Sequence, residues 1–429
     1  MEHSRMGVAQ WTVVIVTVLL NALDGFDVLS ISFAAPGIAL DWGLDQATLG
    51  WILAMELIGM GVGSLGLGVI GDKAGRRNTI LACLVAMTVG MFGAGAATNI
   101  TELLAWRSLT GLGIGGMLAV TTAVTAEFAN GRWRSLAMSL MVIGYPIGGV
   151  LGGVAVQQIL SNGTWHGIFH LGGWATAAMI PVVLLLIPES PLFLDRQRRP
   201  DALARINRVF AHFGHASAIE LTPVLAAELK TSVMDIFRPR LLRTTLLVTT
   251  AYFALIISFY FLVKWVPKLV VDMGFEPSQA ASVLMWLNVG GVTGGAIFGL
   301  LATRFQLRKI TIIVLVGAAA MIVCFGRVAD DFTALTIVVA CGGFFTNSAI
   351  CGMYSIFANV FPTQVRSTGT GFAIGVGRGG AILAPIGAGY LLQAGFSLQS
   401  VALIMAVSAL LAATLLFFLK ERSAISARV

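Results

Sequence analysis

The sequence predicts an all-α integral membrane protein with twelve transmembrane helices in two six-helix halves. Of its 429 residues, 57% are hydrophobic and 11% are charged, whereas a soluble protein carries roughly 25% charged residues. Apolar runs of about 20 residues, the length that crosses a bilayer, recur along the whole chain. Each run must be a helix, because lipid offers the backbone no hydrogen-bond partner.

The predicted spans contain many small residues. The 50 glycines of the chain include dense runs at 59–68 and 111–116, and we interpret most of them as contacts between closely packed membrane helices. The four cysteines also lie inside spans, without a metal-ligand spacing, so we predict no metal site and no cofactor. The spans lie near residues 11–38, 47–70, 79–98, 102–127, 135–160, 168–188, 243–270, 279–302, 309–327, 332–360, 367–393 and 397–419.

The chain has a net charge of +7, but its basic residues are distributed over particular loops and do not form a nucleic-acid-binding surface. Basic residues gather in alternate loops, which the positive-inside rule places in the cytoplasm. We therefore expect a multi-pass protein of a bacterial cytoplasmic (inner) membrane, in contact with lipid, with both termini in the cytoplasm and no nucleic-acid partner. The basic residues of the short inner loops are Lys73, Arg76, Arg77, Arg132, Arg134, Arg304, Arg308, Lys309 and Arg366.

Residues 189–242 form the sizeable polar interruption of the chain. They contain a basic amphipathic segment that ends at Gly214, which predicts a helix on the inner membrane surface. The sequence therefore divides into an N-terminal six-helix bundle (1–188), a cytoplasmic linker (189–242) and a C-terminal six-helix bundle (243–429).

The two halves resemble each other at a constant offset. Ala126-Glu127 recurs as Ala358-Asn359, and the pair at 76–77 recurs at 308–309. Glu56 falls opposite Asn288 in this alignment. A repeat with an even number of spans is a parallel repeat, which predicts a midplane site between the halves and transport by alternating access.

Several motifs carry a resemblance to a known family. "GVIGDKAGRR" (68–77), "RSLTGLG" (107–113), "PESPLFL" (188–194) and "FPTQVRSTGTG" (361–371) resemble elements of the major facilitator superfamily. "DGFD" (24–27) and "GVGRGGAILAP" (375–385) are similar to the aromatic acid:proton symporter branch. The resemblance implies a carrier of benzoate-like acids, with functional roles for Asp24, Asp27, Arg107, Arg366 and Arg378.

Two positions depart from that branch. Asn359 stands where many relatives carry an acid, and Lys264 interrupts "FYFLVKWVPKLV" (259–270) where an uncharged residue is more usual. Either departure would alter the substrate or the coupling route.

Asp24 and Asp27 are two acids in the first apolar span. A charge at the bilayer centre costs about 2.5–3.5 kcal/mol, so it faces a cavity or a partner. The two carboxyls share one helix face and would repel each other if both were ionised. We interpret them, together with the lone acid Glu56, as proton-coupling groups; a structural pair bonded to neighbouring helices is the alternative.

Arg378 lies about 16 Å into span eleven, close to the midplane. Its planar guanidinium suits a carboxylate, and its glycine neighbours leave room for a ligand. The alternative is an internal ion pair with Asp24, Asp27 or Glu56. The predicted substrate-binding residues are Arg378, Asp27, Tyr145, Tyr260, Trp286 and Phe344.

The charged loop after span two suits a gate. Ion pairs that form in one conformation and break in another make a two-state latch, although a merely solvated loop is the alternative. In the second half, Thr303 replaces the loop acid, so a latch there would be weaker. The predicted gating residues are Asp72, Arg76, Arg77, Arg107, Glu127, Arg134 and Arg366.

These features predict a monomeric, proton-coupled secondary transporter that imports a small organic anion. The expected substrate is an aromatic carboxylate such as benzoate, a hydroxybenzoate or a lignin-derived acid. A drug or metabolite antiporter and a carrier of a sugar acid or other non-aromatic carboxylate remain alternatives. An enzyme is excluded because no histidine lies deep in a span, and a channel would not need the repeat or the gating motifs.

Overall fold

The computed structural model describes residues 6–197, 200–214, 217–218, 220–221, 233–328, 331–362 and 365–419, and these residues form helices and no strand. The first helices are α1 (Val8–Trp42), α2 (Gln46–Ala74), α3 (Arg76–Gly95), α4 (Ile100–Phe128), α5 (Arg134–Asn162), α6 (His166–Leu186), α7 (Pro191–Gln197) and α8 (Ala202–His212). A 3₁₀ helix (Val233–Phe237) precedes α9 (Pro239–Asp272), α10 (Pro277–Leu301), α11 (Leu307–Phe325), α12 (Phe332–Val360), α13 (Arg366–Gln393) and α14 (Leu398–Phe417).

Twelve helices of the described residues are long and apolar enough to cross a membrane. The predicted fold class is confirmed. Several helices run past the predicted apolar runs, because hydropathy marks only the part suited to lipid. The first helix, α1, continues until Gly43, whose φ of 58° is the left-handed conformation that commonly ends a helix.

The polar interruption contains two short helices, α7 and α8. Phe193 and Leu194 pack against Ile206 in a small apolar cluster, so α8 buries one face against the segment before it. The chain leaves α8 through Gly214, which has a φ of 68° and ends the helix in the usual way. The helix expected from the amphipathic pattern therefore lies at α8.

The chain forms two compact units. The first comprises Met1–Ala34 and Met55–Ala226, and the second comprises Ala35–Ala54 and Ala227–Val429. The second unit thus includes the end of α1 and the beginning of α2. The predicted boundaries at 188 and 243 stay predictions.

In the first unit, helices cross at glycines with almost no side chain between them. A Cβ atom added at Gly111 would overlap the backbone oxygen of Glu56, where α4 crosses α2. A Cβ atom at Gly148 would overlap the backbone oxygen of Ala22, where α5 crosses α1. Small residues permit such close approach in membrane helices, so these glycines set the register of the crossings.

The second unit repeats both crossings. A Cβ atom at Gly343 would overlap the backbone oxygen of Leu287, where α12 crosses α10. A Cβ atom at Gly380 would lie 2.6 Å from the backbone oxygen of Phe253, where α13 crosses α9. The internal repeat seen in the sequence is thus also a repeat of helix contacts.

The crossings correct one detail of the sequence alignment. The constant offset sets Glu56 opposite Asn288, but the matching glycine contact of the second unit falls on Leu287. Glu56 therefore corresponds to Leu287. The shift has a physical basis, because register between two helices is fixed by where their backbones touch.

Candidate functional site

Among the described residues of the first unit, four acidic or basic side chains are buried between the helices. Asp24 and Asp27 come from α1, Glu56 from α2 and Arg107 from α4, and each is at most 2% exposed. Charged side chains at this depth need partners or a function. These four residues are called the acidic cluster below.

Arg107 lies at the centre of the acidic cluster. Its Nη2 atom is 2.5 Å from Glu56 Oε2 and donates a hydrogen bond of 2.9 Å to the backbone oxygen of Asp27. The guanidinium also lies 5.4 Å from the ring centre of Phe169, a cation–π distance. Arg107 therefore connects α4 to three other helices and forms an ion pair with Glu56.

The carboxyl group of Asp27 is only partly satisfied. Thr176 Oγ1 lies 3.5 Å from Asp27 Oδ2 but donates a shorter bond, 2.8 Å, to the backbone oxygen of Gly172. Asp27 Oδ1 makes no hydrogen bond within the described residues. A Cβ atom at Gly172 would lie 3.0 Å from that oxygen, so α6 approaches Asp27 through a glycine.

Asp24 is the most isolated member of the acidic cluster. Both of its carboxyl oxygens are buried without a hydrogen-bond partner within the described residues. A single guanidinium can neutralise one carboxylate, and Arg107 contacts Glu56 directly. The charge balance therefore favours a proton on a carboxyl of α1, because an ionised carboxylate buried without a partner is very costly.

In the second unit, Arg378 lies half-buried on α13. The ring of Tyr252 packs so tightly on Gly377 that an added Cβ atom would overlap it. The hydroxyl oxygens of Tyr252 and Tyr354 are 3.2 Å apart. Gly377 directly precedes Arg378, so the backbone of Arg378 lies next to the Tyr252 ring.

The remaining substrate-binding candidates occupy both units. Tyr145 is half-buried in the first unit, where α1 packs on its backbone at Gly25. Tyr260 and Phe344 are half-buried in the second unit. Trp286 is 43% exposed on α10. Their assignment as substrate contacts stays a prediction.

Two of the predicted gating residues meet at the charged end of the first unit. Arg76 Nη2 lies 3.4 Å from Glu127 Oε1, and Arg77 donates a hydrogen bond to the backbone oxygen of Leu184. The side chain of Asp72 lies outside the described residues, so its predicted partner is not assigned.

The other three gating candidates are Arg134, Arg366 and Arg107. Arg134 is half-buried in the first turn of α5, and Arg366 is exposed at the first residue of α13. Arg107 belongs to the acidic cluster instead, on the buried face of α4.

A family comparison decides the classification. The model of the Major Facilitator Superfamily matches residues 17–326 and 266–428. The chain belongs to the major facilitator superfamily. Its members are transporters, and this major facilitator protein is a transporter rather than an enzyme.

Individual relatives support the resemblance to the aromatic acid:proton symporter branch. This major facilitator protein is 31% identical to the 4-hydroxybenzoate transporter PcaK of Pseudomonas aeruginosa, over 94% of this chain and 91% of that protein. It is 28% identical to the gallate transporter of Pseudomonas putida, over 96% and 92%. The inward-open xylose transporter XylE from E. coli superposes with a TM-score of 0.76 at 17% identity, covering 97% of both chains, which shows the fold alone.

Glu189 of this transporter has no evident role in the sequence, but it has one in the structure. Its Oε1 atom accepts hydrogen bonds from the backbone N–H groups of Arg76 (2.8 Å), Arg77 (3.4 Å) and Ser190 (2.9 Å). The residue before α3 is Gly75, which has no side chain to cap the helix. Glu189 therefore supplies from a distance the cap that helix ends need, and the negative charge suits the helix N-terminus.

Replacing Glu189 with alanine should lower the free energy of unfolding by about 1–2 kcal/mol, because three backbone donors lose their acceptor. Chemical denaturation of the detergent-solubilised protein would measure the change. Asp201→Ala is the matched control, since that exposed acid pairs only at 3.9 Å with Arg205 and such pairs contribute little. Equal stability of the two variants would contradict the capping role.

Proposed function

We propose that this protein is a proton-coupled importer of a small aromatic carboxylate that works by alternating access. The observation that carries the proposal is the acidic cluster of the first unit, in which Asp24 is buried without a hydrogen-bond partner in the described part of the chain. The relatives named as transporters of 4-hydroxybenzoate and gallate support the substrate class.

The charge balance of the acidic cluster supports proton coupling. Asp24 and Asp27 are costly as ions while they are shielded from water, and protonation removes that cost. A carboxyl that becomes accessible to water can ionise again. The two aspartates therefore take up a proton before occlusion and release it afterwards, while Arg107 holds Glu56 in place.

Substrate binding is assigned to Arg378 of the second unit. A guanidinium recognises a carboxylate through paired, charge-assisted hydrogen bonds, and the residues on either side of Arg378 are glycines. A cationic drug would not favour this residue. The half-buried aromatic side chains of Tyr260 and Phe344 supply the apolar contacts that an aromatic ring requires.

The orientation in the membrane completes the proposal. The basic residues gather in alternate loops, and the positive-inside rule therefore supports a cytoplasmic location for both termini. The pair of Arg76 and Glu127 then lies at the cytoplasmic surface, where it acts as a gate contact. We place the protein in a bacterial cytoplasmic membrane.

Uptake into proteoliposomes tests the function. An inward pH gradient should drive accumulation of labelled 4-hydroxybenzoate or benzoate, and a protonophore should abolish accumulation. A cationic dye and a labelled sugar acid serve as probes of the alternatives. Accumulation that is unchanged by the protonophore would overturn proton coupling. Transport of only the dye or the sugar acid would overturn the proposed substrate class.

Asp27→Asn should abolish proton-driven accumulation, and Asp24→Asn should reduce it strongly, because an amide cannot carry the proton. Exchange of labelled for unlabelled substrate needs no net proton movement, so it should survive in the Asp27 variant. Comparing accumulation with exchange in the same proteoliposomes measures both.

Asp45→Asn is the control for these variants. The Thr48 N–H donates a 2.7 Å hydrogen bond to the Asp45 carboxylate, which lowers the pKa of that exposed group. Asp45 therefore stays ionised during transport and has no part in coupling. Wild-type accumulation in both the Asp24 and Asp27 variants would refute the assignment.

A further inference from the structure

Two tyrosines of the second unit form a partly buried hydroxyl pair. Tyr252 lies on α9 and Tyr354 on α12, and their hydroxyl oxygens are 3.2 Å apart. Both rings pack against Phe357, with centroids at 5.4 Å and 6.3 Å. The chain contains only 5 tyrosines, so the meeting of two hydroxyls from different helices is a specific arrangement.

The two members of the pair differ in exposure. Tyr252 is 4% exposed, whereas Tyr354 is 41% exposed. A buried phenol needs an acceptor for its proton, and within the described residues the Tyr252 hydroxyl makes its hydrogen bond with Tyr354. Tyr252 is therefore the donor of the pair, and Tyr354 accepts.

Within the described residues, this assignment leaves the proton of Tyr354 without an acceptor. A phenolic hydroxyl donates one hydrogen bond and can accept at the same time. The Tyr354 side chain is accessible, so its proton can point to an oxygen outside the pair. Accepting a bond from Tyr252 also polarises the Tyr354 hydroxyl and strengthens its own donation.

Arg378 follows Gly377 on α13. Its neighbour Gly377 contacts the ring of Tyr252 directly, which fixes α13 against α9 at this level. A carboxylate has about four acceptor sites on its two oxygens, so a single guanidinium does not satisfy all of them. A hydroxyl donor next to the guanidinium would satisfy another.

We propose that Tyr354 donates a hydrogen bond to the same carboxylate that Arg378 binds, and that Tyr252 is a positioning residue that orients the Tyr354 hydroxyl. The inference rests on the proposed function, because it assumes an aromatic acid as the substrate. It assigns the pair to the acid group of the substrate and not to hydroxyl groups on its ring.

Tyr354→Phe tests the contact. Calorimetric titration of the purified transporter with benzoate and with 4-hydroxybenzoate should show affinities that fall by about tenfold or more, since a hydrogen bond to a charged group is lost. Both acids should weaken by the same factor, because both carry the carboxylate. If binding of 4-hydroxybenzoate alone is weakened, the Tyr354 hydroxyl contacts the ring hydroxyl of that substrate instead of its carboxylate, which overturns the proposal.

A double-mutant cycle tests the positioning role of Tyr252. Tyr252→Phe should weaken binding by a smaller factor than Tyr354→Phe, and the double variant should bind no more weakly than Tyr354→Phe alone. Residues that act through one another are non-additive in this way. Losses that simply multiply would mean that Tyr252 acts independently of Tyr354, which contradicts the proposal.

Tyr390→Phe is the matched control, because the Tyr390 hydroxyl contacts Trp51 Nε1 at 3.4 Å and is not part of the pair. This variant should keep wild-type affinity and wild-type thermal stability. If the wild type binds neither acid, the proposed function fails together with this inference. If the wild type binds both and Tyr354→Phe binds equally well, this inference alone fails.

Discussion

Replacing Arg107 with leucine should lower the free energy of unfolding by about 3–5 kcal/mol, the loss expected when one partner of a buried ion pair is removed. The variant leaves Glu56 buried without its guanidinium, 2.5 Å away in the native protein. It also removes the hydrogen bond that joins α4 to the backbone of Asp27. Denaturant unfolding in detergent would measure the loss.

A second substitution separates the destabilisation caused by the unpaired Glu56 carboxylate from that caused by lost packing. Glu56→Gln in the Arg107→Leu background should recover part of the stability, because the buried carboxylate is gone. Arg132→Leu is the control: Arg132 is exposed and stacks on Trp133 at 5.4 Å, so its loss should stay below about 1 kcal/mol. Similar losses for Arg107→Leu and Arg132→Leu would show that the buried pair contributes little.

Arg378→Ala should weaken binding of benzoate by about 100-fold or more, because the carboxylate loses its charged partner in a partly buried site. Arg378→Lys should also bind weakly, since lysine keeps the charge but lacks the planar fork. Calorimetric titration at constant pH measures both variants. An uncharged aromatic amide, used as a second probe, should be much less affected.

Arg327→Ala is the control for charge removal in the second unit, because Arg327 is exposed in the turn after α11. It should bind benzoate as the wild type does. Unchanged affinity in Arg378→Ala would mean that another cationic side chain binds the carboxylate. The fully buried Lys264 would then be the first residue to test.

The helices were predictable because a membrane span is a local property of composition. About 20 apolar residues in succession admit one secondary structure in lipid, so all twelve spans could be placed from the sequence. Their ends were less predictable. The end of α1 depends on the backbone conformation of Gly43, which lies outside the apolar run.

The partners of the charged residues were not predictable in the same way. Asp24 and Asp27 stand out because each is an acid in an apolar run, but the pairing of Glu56 with Arg107 depends on how α2 crosses α4. The role of Glu189 could not be predicted, because two of the three N–H groups that it accepts from are in α3, more than 100 residues earlier in the chain. Tyr252 carried one usable signal, namely that tyrosine is rare in this sequence.

The repeated glycine crossings have a consequence for how the two halves diverged. In the register that these crossings set, the residues of the second half that correspond to the acidic cluster carry no charge. They are Leu255, Ser258, Leu287 and Val339, in place of Asp24, Asp27, Glu56 and Arg107. All four are buried, and the serine donates its proton to the backbone oxygen of Met405. The repeat has thus kept its helix contacts, while the acidic cluster became a specialisation of the first half.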